Sequence, residues 1–244
     1  MNPVLEDILR TGEVTSDEGE RFSLGTGGPI SREEGELLQR VIGVLKPKIS
    51  LEIGLAYGIS TLFICEALKK VGANKHIVID QDQSTLFKGI GIKNLGQAGY
   101  GELIEFIEEP SEIALPELLT RKTRVDFAFI DGWHTFDHTL LDFFYVNMML
   151  NVGGIVAFDD TTLSSISELC RFISRYPCYR IFSYLPSDQI RKPVVFARIL
   201  RRSIVYPNSI KYIKEDLRIA SAGRCIAFMK VSEDKRDWTW HEQF

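Results

Sequence analysis

Three carboxylates that follow two predicted strands are the residues best placed to do chemistry in this chain. Asp131 follows the buried strand predicted at residues 125–130, and Asp159 and Asp160 follow the strand predicted at residues 153–158. Because neighbouring parallel strands end side by side, these carboxylates are expected to converge at one edge of a sheet. Close anions raise one another's pKa unless a cation lies between them, and oxygen ligands without cysteine suit a hard ion such as Mg²⁺. The pattern predicts a divalent-metal site, although Asp131 or Asp160 alone could also cap the next helix.

A glycine-containing turn between a predicted strand and a predicted helix offers a place for a ligand. Residues 49–53 form a short apolar run that Gly54 ends, and helical spacing begins after Gly58. Such a turn leaves backbone N–H groups of the first helical turn free at the carboxyl edge of a parallel sheet. Glu52 is expected to place a carboxylate beside the ligand, which favours a ligand with a cation or hydroxyl groups over a bare pyrophosphate. The turn lacks the lysine of a phosphate-binding loop and the G-x-G-x-x-G spacing of a dinucleotide site.

A further acid has the spacing of a ribose-binding carboxylate. The buried strand predicted at residues 75–80 ends in Asp80, 28 residues after Glu52. One helix and one strand fit into that interval in a doubly wound nucleotide-binding sheet. Asp80 is therefore predicted to bind the ribose hydroxyl groups, and Asp82 is the second choice or a helix cap.

Composition narrows the function classes. The 244 residues, 45% hydrophobic and 25% charged, suit one ordinary domain with a large core. The net charge of -4 lacks the basic footprint of a nucleic-acid-binding protein and favours a small-molecule substrate. The four cysteines have no C-x-x-C spacing and are predicted to be reduced and buried. The absence of a signal-like leader and of a membrane-length apolar run leads us to expect a cytoplasmic protein without a membrane contact.

Three motifs together resemble one enzyme family. The turn E-x-G-x-x-x-G-x-S at residues 52–60 resembles motif I of the class I S-adenosylmethionine-dependent methyltransferases. D-G-x-H at residues 131–134 and G-G-x-x-x-x-D-D at residues 153–160 resemble the metal-dependent O-methyltransferases of the methyltransferase family 24 group. The similarity runs from about residue 30 to about residue 165.

The resemblance implies a set of site residues. Residues at the positions of Asp131, Asp159 and Asp160 hold the divalent metal in that group, and a histidine at the place of His134 is the general base in some members. Histidine exchanges a proton readily near neutral pH, whereas the alternative for His134 is a polar residue at a helix start. The implied contacts to S-adenosylmethionine come from the glycine turn, the following strand ends and the loop that flanks adenine: Glu52, Gly54, Ala56, Tyr57, Gly58, Ser60, Asp80, Pro110, Ser111 and Asp131.

The resemblance also implies a fold and a domain plan. We expect an α/β protein with a Rossmann-like, doubly wound, mostly parallel seven-stranded sheet and an antiparallel C-terminal strand. Residues 1–30 would form a leader and a loop that covers the cofactor, and residues 31–244 the methyltransferase domain. An insertion at residues 186–224, between the last two strands, would lie beside the substrate or contact another subunit. The aromatic tail at residues 237–244 would pack on the sheet or contribute to a homo-oligomer.

The predicted function is methyl transfer to a hydroxyl group of a small molecule. Several relatives have Glu at the position of Asp159, and catechol-type relatives have Asn at the position of Asp160, so the chain looks nearer the sugar-modifying branch. One alternative keeps the fold and the cofactor but has neither metal nor O-methylation activity. Another is an NAD oxidoreductase, which the missing G-x-G-x-x-G disfavours.

Overall fold

A computed structural model describes residues 1–25, 29–186 and 207–241 of the chain, without the side chains of residues 207–209. These residues form eight α-helices and nine β-strands. The helices are α1 (Pro3–Thr11), α2 (Arg32–Leu45), α3 (Ile59–Val71), α4 (Ile90–Gln97), α5 (Ser111–Thr120), α6 (Phe136–Met149), α7 (Ser164–Ser174) and α8 (Ile213–Ser221). The strands are β1 (Glu13–Thr15), β2 (Arg21–Ser23), β3 (Ile49–Ile53), β4 (Lys75–Ile79), β5 (Ile104–Ile107), β6 (Val125–Ile130), β7 (Leu150–Phe158), β8 (Tyr179–Pro186) and β9 (Ala222–Lys230).

Seven of the strands form one sheet in the order β5-β4-β3-β6-β7-β9-β8. The first five are parallel, and β9 pairs antiparallel with both β7 and β8. This confirms the predicted doubly wound sheet with its antiparallel C-terminal strand. The chain runs outward from β3 to β4 and β5, and then returns to the other side of β3 as β6. The strand order therefore reverses between β3 and β6, and a crevice opens at such a point beyond the carboxyl ends of the strands.

Helices cover both faces of the sheet, and alternate residues of its strands point into one core or the other. Ile53 and Ile130 face one core, which α5, α6 and α7 cover with side chains such as Phe143. Phe129 faces the other core, which α2, α3 and α4 cover with side chains such as Phe63. Helices on both faces explain why the strands read as continuous apolar runs.

The first thirty residues contain elements that the sequence reasoning did not identify. Asn2 caps α1 by accepting a hydrogen bond from the Val4 backbone N–H at 3.0 Å, and Gly12 ends the helix with φ 67°. A two-stranded antiparallel hairpin, β1 and β2, follows. An N-cap asparagine followed by proline, with glycine nine residues later, is a helix signal that was present in the sequence.

Other boundaries agree with the sequence or differ slightly from it. The capping box that Ser31 and Glu34 predict is present at the start of α2. Turns occupy residues 81–88, so α4 begins only at Ile90 and Asp82 does not cap it. The sequence predicts a strand at residues 102–107, but a short 3-10 turn at Gly101–Leu103 delays the start of β5 to Ile104. The part of the predicted insertion at residues 187–206 lies outside the described residues.

The sequence also supports predictions for the cysteines and the C-terminal tail. All four cysteines are buried and none forms a disulfide, as predicted. Trp240 packs against the rings of Phe172 on α7 and Tyr176 just after it, so the tail up to residue 241 packs on the end of a helix rather than on the sheet as predicted. Within the described part of the chain, every helix is too short or too polar to cross a bilayer.

Candidate active site

The glycine turn after β3 is shaped by a close approach of two strand ends. Gly54 has φ 97°, and its backbone N–H donates to the carbonyl oxygen of Ile79 at 2.9 Å. A Cβ atom at Gly54 would overlap the backbone carbonyl of Asp131, which follows β6. Only glycine allows both this φ and this contact. The turn and Asp131 are therefore held together by the backbone itself.

Two adjoining cavities open along this edge of the sheet. One has a volume of about 390 Å³ and the other about 260 Å³, and they share the lining residues Gly54, Ala56, Phe87 and Asp131. The larger volume lies within the range of roughly 300–1,000 Å³ that is usual for small-molecule pockets. Most predicted cofactor contacts line one cavity or both: Gly54, Ala56, Tyr57, Ser60, Asp80, Pro110, Ser111 and Asp131. Gly58 does not line them; it caps α3 with φ 83°.

Glu52 does not lie beside the ligand space, contrary to the expectation from the sequence. Its side chain is completely buried beneath the turn. One carboxylate oxygen accepts a hydrogen bond from Ser60 Oγ at 2.5 Å, and the other lies 2.8 Å from His76 Nε2. His76 Nδ1 in turn lies 2.9 Å from Ser50 Oγ. The side chain of Glu52 points from β3 into the protein core, so its carboxylate needs interior partners. We call these four residues the loop network.

Asp80 lines the larger cavity and also holds the glycine turn. Its Oδ2 accepts hydrogen bonds from the backbone N–H groups of Leu55 and Ala56, both at 2.8 Å. Its Oδ1 accepts from the backbone N–H of Asp82 at 2.8 Å. A carboxylate has about four acceptor positions, so three are used by the protein and about one is left for a ribose hydroxyl group. Ala56, at φ 47°, is kept in a left-handed conformation by this contact.

The far end of the larger cavity lies at the start of α5. Pro110 and Ser111 line it, as do Trp133 and His138 from the loop and helix after β6. The Ser111 hydroxyl interacts with the buried carboxyl of Asp142 on α6. Burial is the main reason that the pKa of Asp142 rises to about 6, and Ser111 and His138 oppose that rise. Sequence reasoning did not identify Asp142, which supports the cavity wall from behind.

Two of the three carboxylates predicted to hold a metal lie together with His134. Oxygen or nitrogen atoms of Asp131, His134 and Asp160 all lie within 4.8 Å of one another. Asp160 Oδ2 is 3.6 Å from His134 Nε2, and Asp160 has φ 50°. Asp159 is not in this group, contrary to the predicted trio. The left-handed backbone at Asp160 directs its Oδ2 to His134, whereas Asp159 is buried and its carboxylate lies beside Arg224.

Asp159 points instead toward two residues that the sequence reasoning did not link to the site. Its Oδ2 lies 3.6 Å from Nη2 of Arg224 on β9, and Arg224 Nε lies 3.4 Å from Glu34 Oε1 at the start of α2. The same guanidinium approaches Asp160 Oδ1 to 3.0 Å. We call Glu34, Asp131, Asp159 and Asp160 the acid cluster. In the sequence, Arg224 is the charge that directly precedes the apolar run 225–229 of β9.

The acid cluster is electrostatically unfavourable without added positive charge. Burial and the neighbouring Glu34 raise the pKa of Asp159 to about 8, while Arg224 opposes the rise. Burial, followed by Asp159 and Asp160, raises the pKa of Asp131 well above its ordinary value. Two buried carboxylate oxygens, Asp159 Oδ1 and Glu34 Oε1, have no hydrogen-bond partner. Buried acceptor atoms without a hydrogen bond, together with raised carboxyl pKa values, are features of a site that can bind a cation.

The residues present fit both groups that the motifs imply. The turn exposes backbone atoms to a cavity, and polar side chains at its far end can meet a nucleoside. Within the group Asp131, His134 and Asp160, the two carboxylates supply oxygen ligands of the kind that divalent ions accept in proteins, and the imidazole lies beside them. The unpartnered oxygen of Asp159 adds negative charge next to that group.

Comparison with known proteins relates the sequence of this chain to methyltransferases. A family model described as a methyltransferase domain, Methyltransf_24, matches residues 51–161. A caffeoyl-CoA O-methyltransferase of Populus kitakamiensis is 28% identical over 218 residues, which cover 88% of this chain and 80% of the relative. The tapetum-specific methyltransferase 1 of Arabidopsis thaliana is 32% identical over 138 residues, 55% of each protein. For that relative and a putative caffeoyl-CoA O-methyltransferase of the same plant, the chain spans about half the relative's length.

Solved structures share the fold. An O-methyltransferase of Bacillus cereus in complex with SAH aligns with a TM-score of 0.59 and 17% identity, over 75% of this chain and 83% of that one. The O-methyltransferase TomG of Streptomyces achromogenes in complex with SAM aligns with a TM-score of 0.60 and 15% identity, over 84% and 82%. The sheet order, the glycine turn and the family match lead to one conclusion: residues 51–161 form a methyltransferase domain of the family 24 type, within the fold of the class I S-adenosylmethionine-dependent methyltransferases.

Proposed function

We propose that the protein transfers a methyl group from S-adenosylmethionine to a hydroxyl group of a small molecule, at a site that holds Mg²⁺ or another divalent ion. The observation that carries the proposal is the group Asp131, His134 and Asp160 at the edge of the cavity that the glycine turn lines. The two cavities meet at Gly54, Ala56 and Asp131, so a cofactor and an acceptor could lie in contact there.

In this proposal the cofactor lies along the turn. Gly54, Ala56, Tyr57 and Ser60 surround its methionine part, since they line the smaller cavity beside the leader residues. Asp80 binds the ribose with its remaining acceptor position, and Pro110 and Ser111 border the base. Methyl transfer from a sulfonium is an in-line displacement, so the main task of these residues is to fix the methyl group opposite the acceptor oxygen.

The acid cluster and His134 act on the acceptor. A bound divalent ion would lower the pKa of an acceptor hydroxyl and orient it. Asp131 and Asp160 would hold that ion, and Asp159 would add charge next to it. His134 has its side chain 43% exposed, which leaves Nε2 accessible to a hydroxyl proton. We assign it the role of general base.

The His134→Gln variant tests the base. We expect its kcat to fall by about 10²–10⁴-fold, the usual contribution of a positioned base, while its affinity for S-adenosylhomocysteine stays unchanged. His241→Gln is the matched control, because His241 lies in the tail, away from both cavities. Turnover that stays at the level of the unmutated protein would remove His134 from the mechanism.

Two acceptor classes follow from the chain and its relatives. Asp160 in place of Asn points to a sugar diol, whereas two of the relatives reported above are named for caffeoyl-CoA, a catechol. Both classes present neighbouring hydroxyl groups that an ion can chelate. Transfer of radiolabelled methyl groups to a panel of catechols and sugar diols, with and without EDTA, identifies the class and tests the need for metal.

A second candidate is a cofactor-binding protein without metal-dependent transfer. It is favoured by one observation: Arg224 already pairs with Asp159 and Asp160. This candidate predicts that titration with S-adenosylhomocysteine is unaffected by EDTA and that no diol becomes methylated.

A further inference from the structure

Arg224 reaches the acid cluster from a strand that carries none of the family motifs. Its backbone carbonyl accepts a hydrogen bond from the N–H of Thr161 at 2.9 Å, and this bond fixes β9 beside the end of β7. Arg224 Nε and Nη2 lie 3.1 and 3.0 Å from Asp160 Oδ1. The Arg224 side chain is 28% exposed. It therefore occupies a set position among the acids rather than a free surface position.

The single positive charge of Arg224 does not balance the cluster. Four carboxylates, those of Glu34, Asp131, Asp159 and Asp160, lie around or next to one guanidinium. Arg224 lies 3.4 Å from Glu34 and 3.6 Å from Asp159, and it leaves one buried oxygen on each without a hydrogen bond. The cluster thus holds more negative charge and more acceptor atoms than its own arginine uses.

The two oxygens of Asp160 face different partners. Oδ1 is held by Arg224, whereas Oδ2 faces His134 in the group that could ligate an ion. A divalent ion at that group would share the Asp160 carboxylate with the guanidinium. Like charges at this separation repel, and a carboxylate that already neutralises one cation attracts a second less strongly.

We propose that Arg224 is an internal cation that competes with a divalent ion for Asp160, so that it keeps the acid cluster folded without metal and weakens metal binding. The inference rests on the proposed metal site and adds a residue that sets its affinity. It also explains how a buried group of carboxylates can persist in the protein alone, because an isolated buried charge is costly unless it is paired.

The test is the dissociation constant for Mn²⁺, measured by titration of the free-ion electron paramagnetic resonance signal. We expect Arg224→Gln to bind Mn²⁺ about tenfold more tightly than the unmutated protein, since removing one charge near the ion changes binding by at least a few RT. Arg224→Lys, which keeps the charge but loses the planar fork, is expected to lie between the two. Arg121→Gln is the control for net charge, because Arg121 is exposed at the other end of α5.

A gain of affinity cannot come from general damage, which makes the outcome diagnostic. Folding is checked in each protein by titration with S-adenosylhomocysteine. Equal or weaker Mn²⁺ binding by folded Arg224→Gln overturns the inference. If that variant does not fold, Arg224→Lys decides, and affinity no tighter than that of the unmutated protein overturns the inference equally.

The proposed function can fail separately. Mn²⁺ binding by Arg224→Gln but not by the unmutated protein would support the inference and refute the metal requirement of the proposed reaction. Equal Mn²⁺ binding by both proteins would overturn the inference and leave the proposed metal site standing. An absence of binding in every variant would overturn the inference, while binding of S-adenosylhomocysteine would still support the cofactor part of the proposal.

Discussion

The loop network and the acid cluster both place carboxylates at strand ends, but they satisfy them differently. In the loop network, both oxygens of Glu52 have partners, Ser60 and His76. In the acid cluster, Asp159 and Glu34 each keep a buried oxygen without a hydrogen bond. Burial of a paired carboxylate stabilises the fold, whereas burial of an unpaired one costs free energy that a ligand can recover. The comparison shows that burial alone does not mark a carboxylate as a ligand-binding candidate; acceptor positions that the protein leaves unused do.

The largest expected effect is in the acid cluster, whose carboxylates are not all hydrogen-bonded. Asp131→Asn removes one charge and one ligand from the acid cluster with little change in shape. We expect methyl transfer to fall by about a thousandfold and Mn²⁺ binding to be lost, without any loss of folding stability, because like-charge repulsion is relieved. Activity assays, Mn²⁺ titration and urea denaturation measure the three quantities. A clearly less stable variant that still binds Mn²⁺ would place Asp131 with the satisfied acids instead.

A second prediction concerns the contact that joins the two regions. Gly54→Ala forces a methyl group into the backbone of Asp131 at φ 97°. We expect the free energy of unfolding to fall by about 3 kcal/mol or more and binding of S-adenosylhomocysteine to be lost, as measured by denaturation and calorimetry. Gly43→Ala is the matched control, since Gly43 lies in the last turn of α2 and a Cβ there meets nothing within 4 Å. That control should be neutral or stabilising by up to ~1 kcal/mol.

The loop network, in which both oxygens of Glu52 have partners, is tested by Glu52→Ala. The change leaves Ser60 and His76 buried without their carboxylate partner, so we expect a loss of about 2–3 kcal/mol in the free energy of unfolding. Because Glu52 does not line either cavity, the folded variant should bind S-adenosylhomocysteine within about fivefold of the unmutated affinity, a change of ~1 kcal/mol. A large loss of affinity with unchanged stability would restore the ligand contact that the sequence suggested.

The smallest expected effect concerns Asp142, which lies outside the loop network and the acid cluster. Asp142 is buried with one unpartnered oxygen, and its folded-state pKa of about 6 exceeds the ordinary aspartate value of ~3.9. A raised acid pKa contributes stability below about pH 4 that is lost as the pH rises through 6. Asp142→Asn should remove this loss and be more stable than the unmutated protein at pH 8 by on the order of 2 kcal/mol.

Denaturation curves at pH 4 and pH 8 measure this difference. The matched control, Asp137→Asn, lies on the same helix. Hydrogen bonds from Thr135 and the backbone lower the pKa of Asp137, so its contribution is lost as the pH falls instead. An Asp142→Asn variant with the same pH dependence as the unmutated protein would show that Asp142 is paired in solution.

Sequence reasoning identified most of the fold because local patterns determine it. The apolar strands, the capping box at Ser31 and the glycine turn each depend on neighbours in the chain, and the structure confirms them. It overlooked α1, although Asn2 and Gly12 mark its ends. At the site, it singled out Asp131, Asp159, Asp160 and His134; the structure groups three of them and places Asp159 beside Arg224, because side-chain direction after a strand depends on the local backbone, including φ 50° at Asp160.

What the sequence determined by itself was the order of strands and helices, and hence which strand ends meet at one edge. Hydrophobic periodicity and turn residues are local properties, so they are readable along the chain. Only the tertiary structure decided which acids are paired. Glu52 meets His76 from β4, and Asp159 and Asp160 meet Arg224 from β9, 64 residues after Asp160. Such pairings depend on side-chain directions across adjacent strands, which no spacing along one segment reveals.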